Sequence, residues 1–274
     1  MIKSLQTGLL LITGLAGYMS ARCPVFNLGT MTLLTISLFL TISGSTVLNM
    51  WYDRDIDAMM SRTCWRPLPA GKVSPREALL LGLGLSLVGL LVGWWLAPLY
   101  AIVLFAGLFF DVVIYTLWLK RRSPWSIIWG GISGGMPILA GRTLAMGEIE
   151  WVGLLLAVAV LFWIPTHILT FSMRYREDYK KASIPTVAAA YGDEFTRKLI
   201  AGSSLAAGLA IVVAAVGIGT PIGSMRLIAA LSTLLVVIAV ASIMRPSDKM
   251  NFGLFKYASV YMLSTMLLMV VHSL

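Results

Sequence analysis

Apolar runs of 18 to 23 residues recur along the whole 274-residue chain, and short polar connections separate them. A helix needs roughly 20 apolar residues to cross the hydrocarbon core of a bilayer, so each run is long enough to do so. The pattern predicts nine spans, near residues 4–21, 29–50, 77–97, 99–119, 125–142, 151–173, 199–218, 222–244 and 252–272. The expected fold class is all-α: a polytopic membrane protein with nine transmembrane helices, in one domain over residues 1–274. The runs do not alternate apolar and polar positions, which excludes a β-barrel. The first run follows Lys3 and ends near small residues, as a signal peptide would. Because the rest of the chain is membrane-embedded, it reads as a retained first span.

Composition agrees with this pattern. The chain is 58% hydrophobic and 12% charged, about half the charged share of an ordinary soluble domain. Its formal net charge is +9, and the placement of that charge is informative. With the N-terminus inside, the inside segments are the tail and the connections near 51–76, 120–124, 174–198 and 245–256. These hold 18 of the 21 basic residues; Arg22, Arg142 and Arg226 are the others. An excess of Lys and Arg marks cytoplasmic loops. The N-terminus and the charged connections are therefore expected on the cytoplasmic side of the cell membrane, and the C-terminus outside. The basic residues follow from a lipid bilayer as surroundings, with no nucleic-acid partner. Cys23 and Cys64 fall on opposite sides, so no disulfide is expected.

Two inside connections, 51–76 and 174–198, are long and rich in both signs of charge. At the start of the first, Asn49, Asp53 and Asp57 recur every four residues. If the second span continues as a helix through them, all three share one face, drifting about 40° per step. Two carboxylates one turn apart suit a hard divalent cation such as Mg²⁺, which keeps waters and shares itself with substrate phosphates. Asp55 points to another face and is expected to be solvated. Arg62 and Arg66 follow, also four apart, and Arg forks suit phosphate oxygens. The second connection carries Glu177 and Asp178 among Arg174, Arg176, Lys180 and Lys181. Two acidic clusters on one membrane side, ringed by cations, suit a polyphosphate with its metal. Charges at helix ends in cytoplasmic loops are also commonly just solvated.

Three features lie inside spans. Asp111 sits near the middle of the fourth, where an ionisable group is costly. It reads equally as a functional group or as a carboxylate paired within the bundle. His167 lies about two turns inside the sixth span; a lone histidine there is more often a hydrogen-bonded core residue than a ligand. His272 belongs at the opposite membrane face, so the two cannot share one iron. The fifth span carries "GGISGGMPILAG", which reads as tight helix packing or as a ligand-facing surface.

The stretch "NMWYDRDIDAMMSRTCWRPLPAGKVSP" resembles the first signature of the UbiA superfamily of intramembrane prenyltransferases. "YTLWLKRRSPWSIIWGGISGGMPILAG" and "WIPTHILTFSMRYREDYKKASIPT" are similar, in sequence and order, to the branch that farnesylates protohaem IX. The resemblance covers about residues 8 to 200. It implies a nine-helix bundle that transfers a prenyl group from an isoprenoid diphosphate, with Mg²⁺ as cofactor, to a membrane-soluble acceptor. Haem b is the favoured acceptor. A quinone precursor or an archaeal-type glycerol phosphate lipid is the alternative within the class, and a transporter or scaffold the alternative outside it.

Residue by residue, the resemblance gives Asp53, Asp57 and Asp178 catalytic roles and the metal; Glu177 joins the metal set as the neighbouring acid of the second cluster. Lys120 is implied as a further catalytic residue. Asn49, Arg62, Arg66, Tyr115 and His167 are implied to bind substrate; Arg121, Arg174 and Lys180 join them as neighbouring cations, and Asp111, which stands where the family commonly has an aromatic residue, as an ionisable group inside a span. Arg174 stands where quinone-type members carry an Asp. Tyr115 and Lys120 are spaced one residue further apart than the Tyr/Lys pair of those members.

Overall fold

The computed structural model describes residues 4–21 and 27–271; Lys3, Arg22, Cys23 and His272 lie outside the described residues. Among the described residues all regular structure is helical. The long helices are α1 (Ser4–Met19), α2 (Leu28–Tyr52) and α4 (Pro75–Leu96). They continue with α5 (Pro98–Phe109), which runs on as a π-helical segment (Phe110–Leu119), and α6 (Ser126–Met146). The remainder are α7 (Trp151–Arg174), α9 (Val187–Ile218), α10 (Ile222–Met244) and α11 (Asp248–Val271). Two short helices, α3 (Arg54–Met59) and α8 (Arg176–Lys181), lie in the two long charged connections.

Every predicted span has a helix, but the count of nine needs correction. Seven helices among the described residues are long and apolar enough to cross a membrane. The first is short, with an apolar stretch of only Thr7–Met19. The fifth, α6, carries Gly130, Gly131, Gly134, Gly135, Pro137, Gly141 and Arg142, which dilute its hydropathy. The connection expected at 174–198 is also largely helical. α9 starts at Val187, capped by the Thr186 side chain, and bends at Gly192, whose φ of 83° is open to glycine at no steric cost.

The helices pack by small residues and leave large ones outside. α4 buries Ala78, Gly82, Ser86, Gly89 and Gly93 against α2, while Leu80, Leu83, Leu87 and Leu91 stay exposed. Lipid is as apolar as leucine, so close backbone approach rather than hydrophobic burial holds such helices together. Exposed Trp65, Trp94, Trp95, Trp118 and Trp151 lie near helix ends, where their amphipathic rings suit the membrane interface.

The glycines of α6 serve this packing. A Cβ at Gly141 would overlap the Gly14 carbonyl of α1, and one at Gly135 would meet the Ala157 backbone of α7. Gly130 accommodates the Tyr115 ring. At the end of the bundle away from the two short helices, Arg142 is buried. It donates to Glu150, to the Ser20 carbonyl at 2.7 Å and to the Ser20 hydroxyl at 2.8 Å, fastening α1, α6 and α7. Its positive charge is thus accounted for by structure.

The α1–α6 contact makes a testable claim. Gly141→Ala should destabilise the protein by about 1–3 kcal/mol, the usual range for overpacking. Gly84→Ala, with nothing within 4 Å of the added carbon, should be neutral or slightly stabilising. Thermal melting of the two variants in detergent checks this, and equal melting would refute the contact.

Candidate active site

α2 ends at Tyr52, because Asp53 leaves helical geometry with φ −87° and ψ 10°. The expected single helix through Asn49, Asp53 and Asp57 is therefore interrupted. Its hydrogen-bond register is not. The Asp53 amide donates to the Asn49 carbonyl at 3.0 Å, and the Asp57 amide to the Asp53 carbonyl at 2.8 Å. The four-residue spacing survives the break, and all three side chains are buried.

Each buried acid has specific partners. Lys120 forms an ion pair with Asp53 Oδ2. Asp53 Oδ1 has Arg121 at 3.6 Å but no hydrogen bond, so one lone-pair site of a carboxylate only 1% exposed is left open. Asp57 Oδ2 accepts from Arg66 at 2.6 Å. Asn49 donates its amide nitrogen to Thr116 at 2.8 Å, leaving its oxygen as the acceptor group. Buried charges are costly unless paired, and these pairs meet that need, Arg66 from within the same connection and Lys120 from 67 residues away.

The π-helical segment brings Lys120 into register. Its Lys120 amide bonds the Tyr115 carbonyl, five residues back, at 2.9 Å. In an α-helix residues five apart would diverge by about 140°. Here the Lys120 ammonium instead lies 5.6 Å from the centre of the Tyr115 ring. The extra residue between this Tyr and Lys is thus absorbed by a wider turn. Burial works against the Lys120 ammonium, but Tyr115 and Asp53 beside it outweigh that cost and raise its pKa.

The second connection docks onto the first. Ile56 and Met60 pack with Ala182 and Ile184, and Tyr179 covers them. This places Asp178 under Ser61, whose hydroxyl donates at 2.8 Å. Arg62 reaches the Tyr179 hydroxyl at 3.0 Å and lies over the rings of Tyr175 and Tyr179. Sequence reasoning missed Ser61, Thr116 and Tyr179, ordinary residue types with no signal apart from their contacts.

Several expectations need adjustment. Asp55 faces away as predicted, but it is not simply solvated. Arg121 grips it at 2.6 and 2.7 Å and holds its pKa below the usual carboxylate value. Asp111 accepts from Ser45 of α2, which is the paired-within-the-bundle reading. Glu177 and Lys180 are exposed, so Asp178 alone of its acidic pair is buried here. Arg174 stands apart, over the Phe252 ring at 4.9 Å. His167 packs among Trp163, Phe171 and Phe255, and its Nδ1 is buried without a hydrogen-bond partner, unlike the expected satisfied core histidine.

The arrangement gathers three buried carboxylates and several cations at one end of an apolar bundle. Among the described residues no three His, Cys, Asp or Glu side chains form a ready metal cluster. One or two carboxylates with an open oxygen match a hard cation that takes its other ligands from phosphate and water.

Comparison with known proteins agrees with this picture. The profile described as the UbiA prenyltransferase family matches residues 10–261. A protoheme IX farnesyltransferase of Korarchaeum cryptofilum is 44% identical over 203 residues, covering 74% of this chain and 68% of that one. One from Pyrobaculum neutrophilum is 33% identical over 94% of this chain and 93% of its own. Among solved structures, a digeranylgeranylglyceryl phosphate synthase superposes with a TM-score of 0.80 at 19% identity, over 99% of both chains. A UbiA homologue from Archaeoglobus fulgidus, bound to DMAPP and Mg²⁺, superposes with a TM-score of 0.71 at 15% identity, over 97% and 96%. These structures share the fold. The chain belongs to the UbiA prenyltransferase family and is a membrane-embedded prenyltransferase.

Proposed function

We infer that this protein transfers a farnesyl group from farnesyl diphosphate to haem b, forming haem O, with Mg²⁺ as cofactor. The observation that carries the reading is Asp53: a buried carboxylate with one oxygen held by Lys120 and the other open. Asp53 and Asp57 would hold Mg²⁺, with the Asn49 amide oxygen as a further donor, and Asp178 would take part from the second connection rather than as the third member of a ready cluster. The metal would supply Lewis-acid stabilisation of the leaving diphosphate. Glu177 is exposed and would act, if at all, from the rim.

The chain's own residues do the rest. In this reading Lys120, Arg62, Arg66 and Arg121 offset negative charge as the allylic C–O bond breaks and the diphosphate leaves with the electron pair. Stabilisation aimed at a leaving group is commonly the largest catalytic term. A haem vinyl group supplies the electrons for the new C–C bond. Water then adds to the resulting cation and loses a proton, completing a hydroxyethylfarnesyl substituent. The surrounding apolar helices keep bulk water from the allylic cation before that bond forms.

Haem is favoured over other acceptors by sequence. Relatives named protoheme IX farnesyltransferase reach 45% identity, whereas the glycerol phosphate lipid synthase with the same fold is 19% identical. Charge placement supports the site end as the cytoplasmic one.

Three measurements test this reading. Asp53→Ala should lower Mg²⁺-dependent diphosphate release by at least about a hundredfold, in line with removal of a single charge-stabilising group; undiminished turnover would refute the site. Incubating the purified protein with haem b and farnesyl diphosphate should yield a porphyrin heavier by one hydroxyfarnesyl increment; an unchanged porphyrin would refute the acceptor. Cys64 is exposed at the site end. In a Cys23→Ser variant, an impermeant thiol reagent should label inside-out vesicles and not intact cells; the reverse would invert the topology.

A further inference from the structure

α2 and the π-helical segment meet along three polar rungs. At the site end Asp53 pairs with Lys120. One turn deeper Asn49 donates to Thr116 at 2.8 Å, and one turn deeper again Ser45 donates to Asp111 Oδ2. Ser45, Asn49 and Asp53 are four residues apart, so the lowest rung lies roughly 12 Å below the first. The proposed function uses the upper rungs and leaves Asp111 without a role.

Of the twelve Asp and Glu residues, Asp111 is the one deep inside a span. Asp53, Asp57 and Asp55 face Lys120, Arg66 and Arg121, whereas Asp111 has no cation partner among the described residues. Ser45 occupies one of its oxygens; Oδ1 accepts no hydrogen bond and stays accessible. That oxygen does not open to lipid. Ile102, Phe105, Phe109, Val113 and Leu117 are exposed at three- and four-residue steps and form the outer stripe of this span. Asp111 falls midway between Phe109 and Val113, about half a turn round, on the opposite face. It is nonetheless only half-buried, so its open oxygen looks into the bundle. Ionisable groups inside spans face such interiors, where they mark substrate paths.

We propose that Asp111 is a further catalytic residue: its carboxylate stands beside the allylic carbons of the prenyl diphosphate and stabilises the cation formed there. A diphosphate held at the upper two rungs directs its chain down this face, into the apolar interior. When the allylic C–O bond breaks, the electron pair leaves with the diphosphate and positive charge stays on the allylic carbons. Asp111 takes no proton and forms no bond. It supplies the opposite charge, in a medium of low polarity where that attraction is strong. Lys120 and the arginines act on the leaving group, and Asp111 acts on the cation below it. The inference rests on the allylic diphosphate part of the proposed function and not on haem b.

The test uses the purified protein in detergent with Mg²⁺ and farnesyl diphosphate carrying an oxygen isotope at the bridging position. Movement of the label to a non-bridging oxygen reports C–O cleavage and return, with no acceptor needed; diphosphate release with haem b reports turnover. Asp111→Asn keeps the shape and the bond from Ser45 but removes the charge. It should slow label movement and kcat by at least about tenfold, with the KM for farnesyl diphosphate and the melting temperature unchanged. Asp111→Phe breaks the Ser45 bond but offers a ring face to the cation, and should be faster than Asp111→Asn by both readouts. Wild-type rates in Asp111→Asn overturn the proposal. So does a raised KM at unchanged kcat, which would make Asp111 a binding group only. A loss of rate matched by a lower melting temperature overturns it too, because the role would then be structural. An Asp111→Phe protein that melts like the wild type and is no faster than Asp111→Asn has the same consequence; if it does not fold, the Asp111→Asn result decides. A wild type that moves no label also sinks the proposal, since no cation forms for Asp111 to face. A porphyrin of unchanged mass sinks haem b alone, because label movement does not involve the acceptor.

Discussion

Helices in a bilayer gain little by burying leucine against leucine, and the whole bundle answers to that constraint. The closest contacts that hold it together bring backbone against backbone, with Gly141 against Gly14, and Gly44 and Gly89 along the α2–α4 seam. Large apolar side chains are left for lipid. Where a polar link is needed, it is complete: Arg142 has Glu150 and both oxygens of Ser20. Close-packed spans leave little slack, so the polar site is confined to one end, where two short helices fold over the bundle.

At that end the energetic problem is reversed. Asp53, Asp57 and Asp178 are buried, and a buried carboxylate without partners is strongly unfavourable. The solution draws cations and hydroxyls from the first connection, the fourth span and the second connection. The π-helical turn is part of it. Wider turns inside helices are often found at functional sites, and this one brings Lys120 over Tyr115 and onto Asp53. Asp111 and Thr116 on the same segment bond to Ser45 and Asn49 of α2, so the turn is fastened to the helix that presents the acids. The site and the irregular helix are one device.

The same end of the bundle also separates two kinds of positive charge. Lys120, Arg66 and Arg121 are each engaged by an acid. Among the described residues Arg174 and Lys249 have no carboxylate partner, and Arg174 lies over the Phe252 ring instead.

Much of this was legible in the sequence. Hydropathy determined the helical class and located every span, because membrane insertion depends on local composition. Spacing put Asn49, Asp53 and Asp57 in one four-residue register, and that period survives the break at Asp53. Charge type pointed to an anionic substrate at the same end. The span count was less secure, because α6 trades hydropathy for glycine packing. What only the tertiary structure decided are relations between distant residues: Ser61 on Asp178, Thr116 on Asn49, Ser45 on Asp111. Serine and threonine carry no pattern that marks a partner more than 50 residues away. It also decided that Asp55 is gripped by Arg121, that Glu177 is exposed, and that a π-helical turn accommodates Tyr115 and Lys120. Local chemistry sets which groups are available; only packing sets which of them meet.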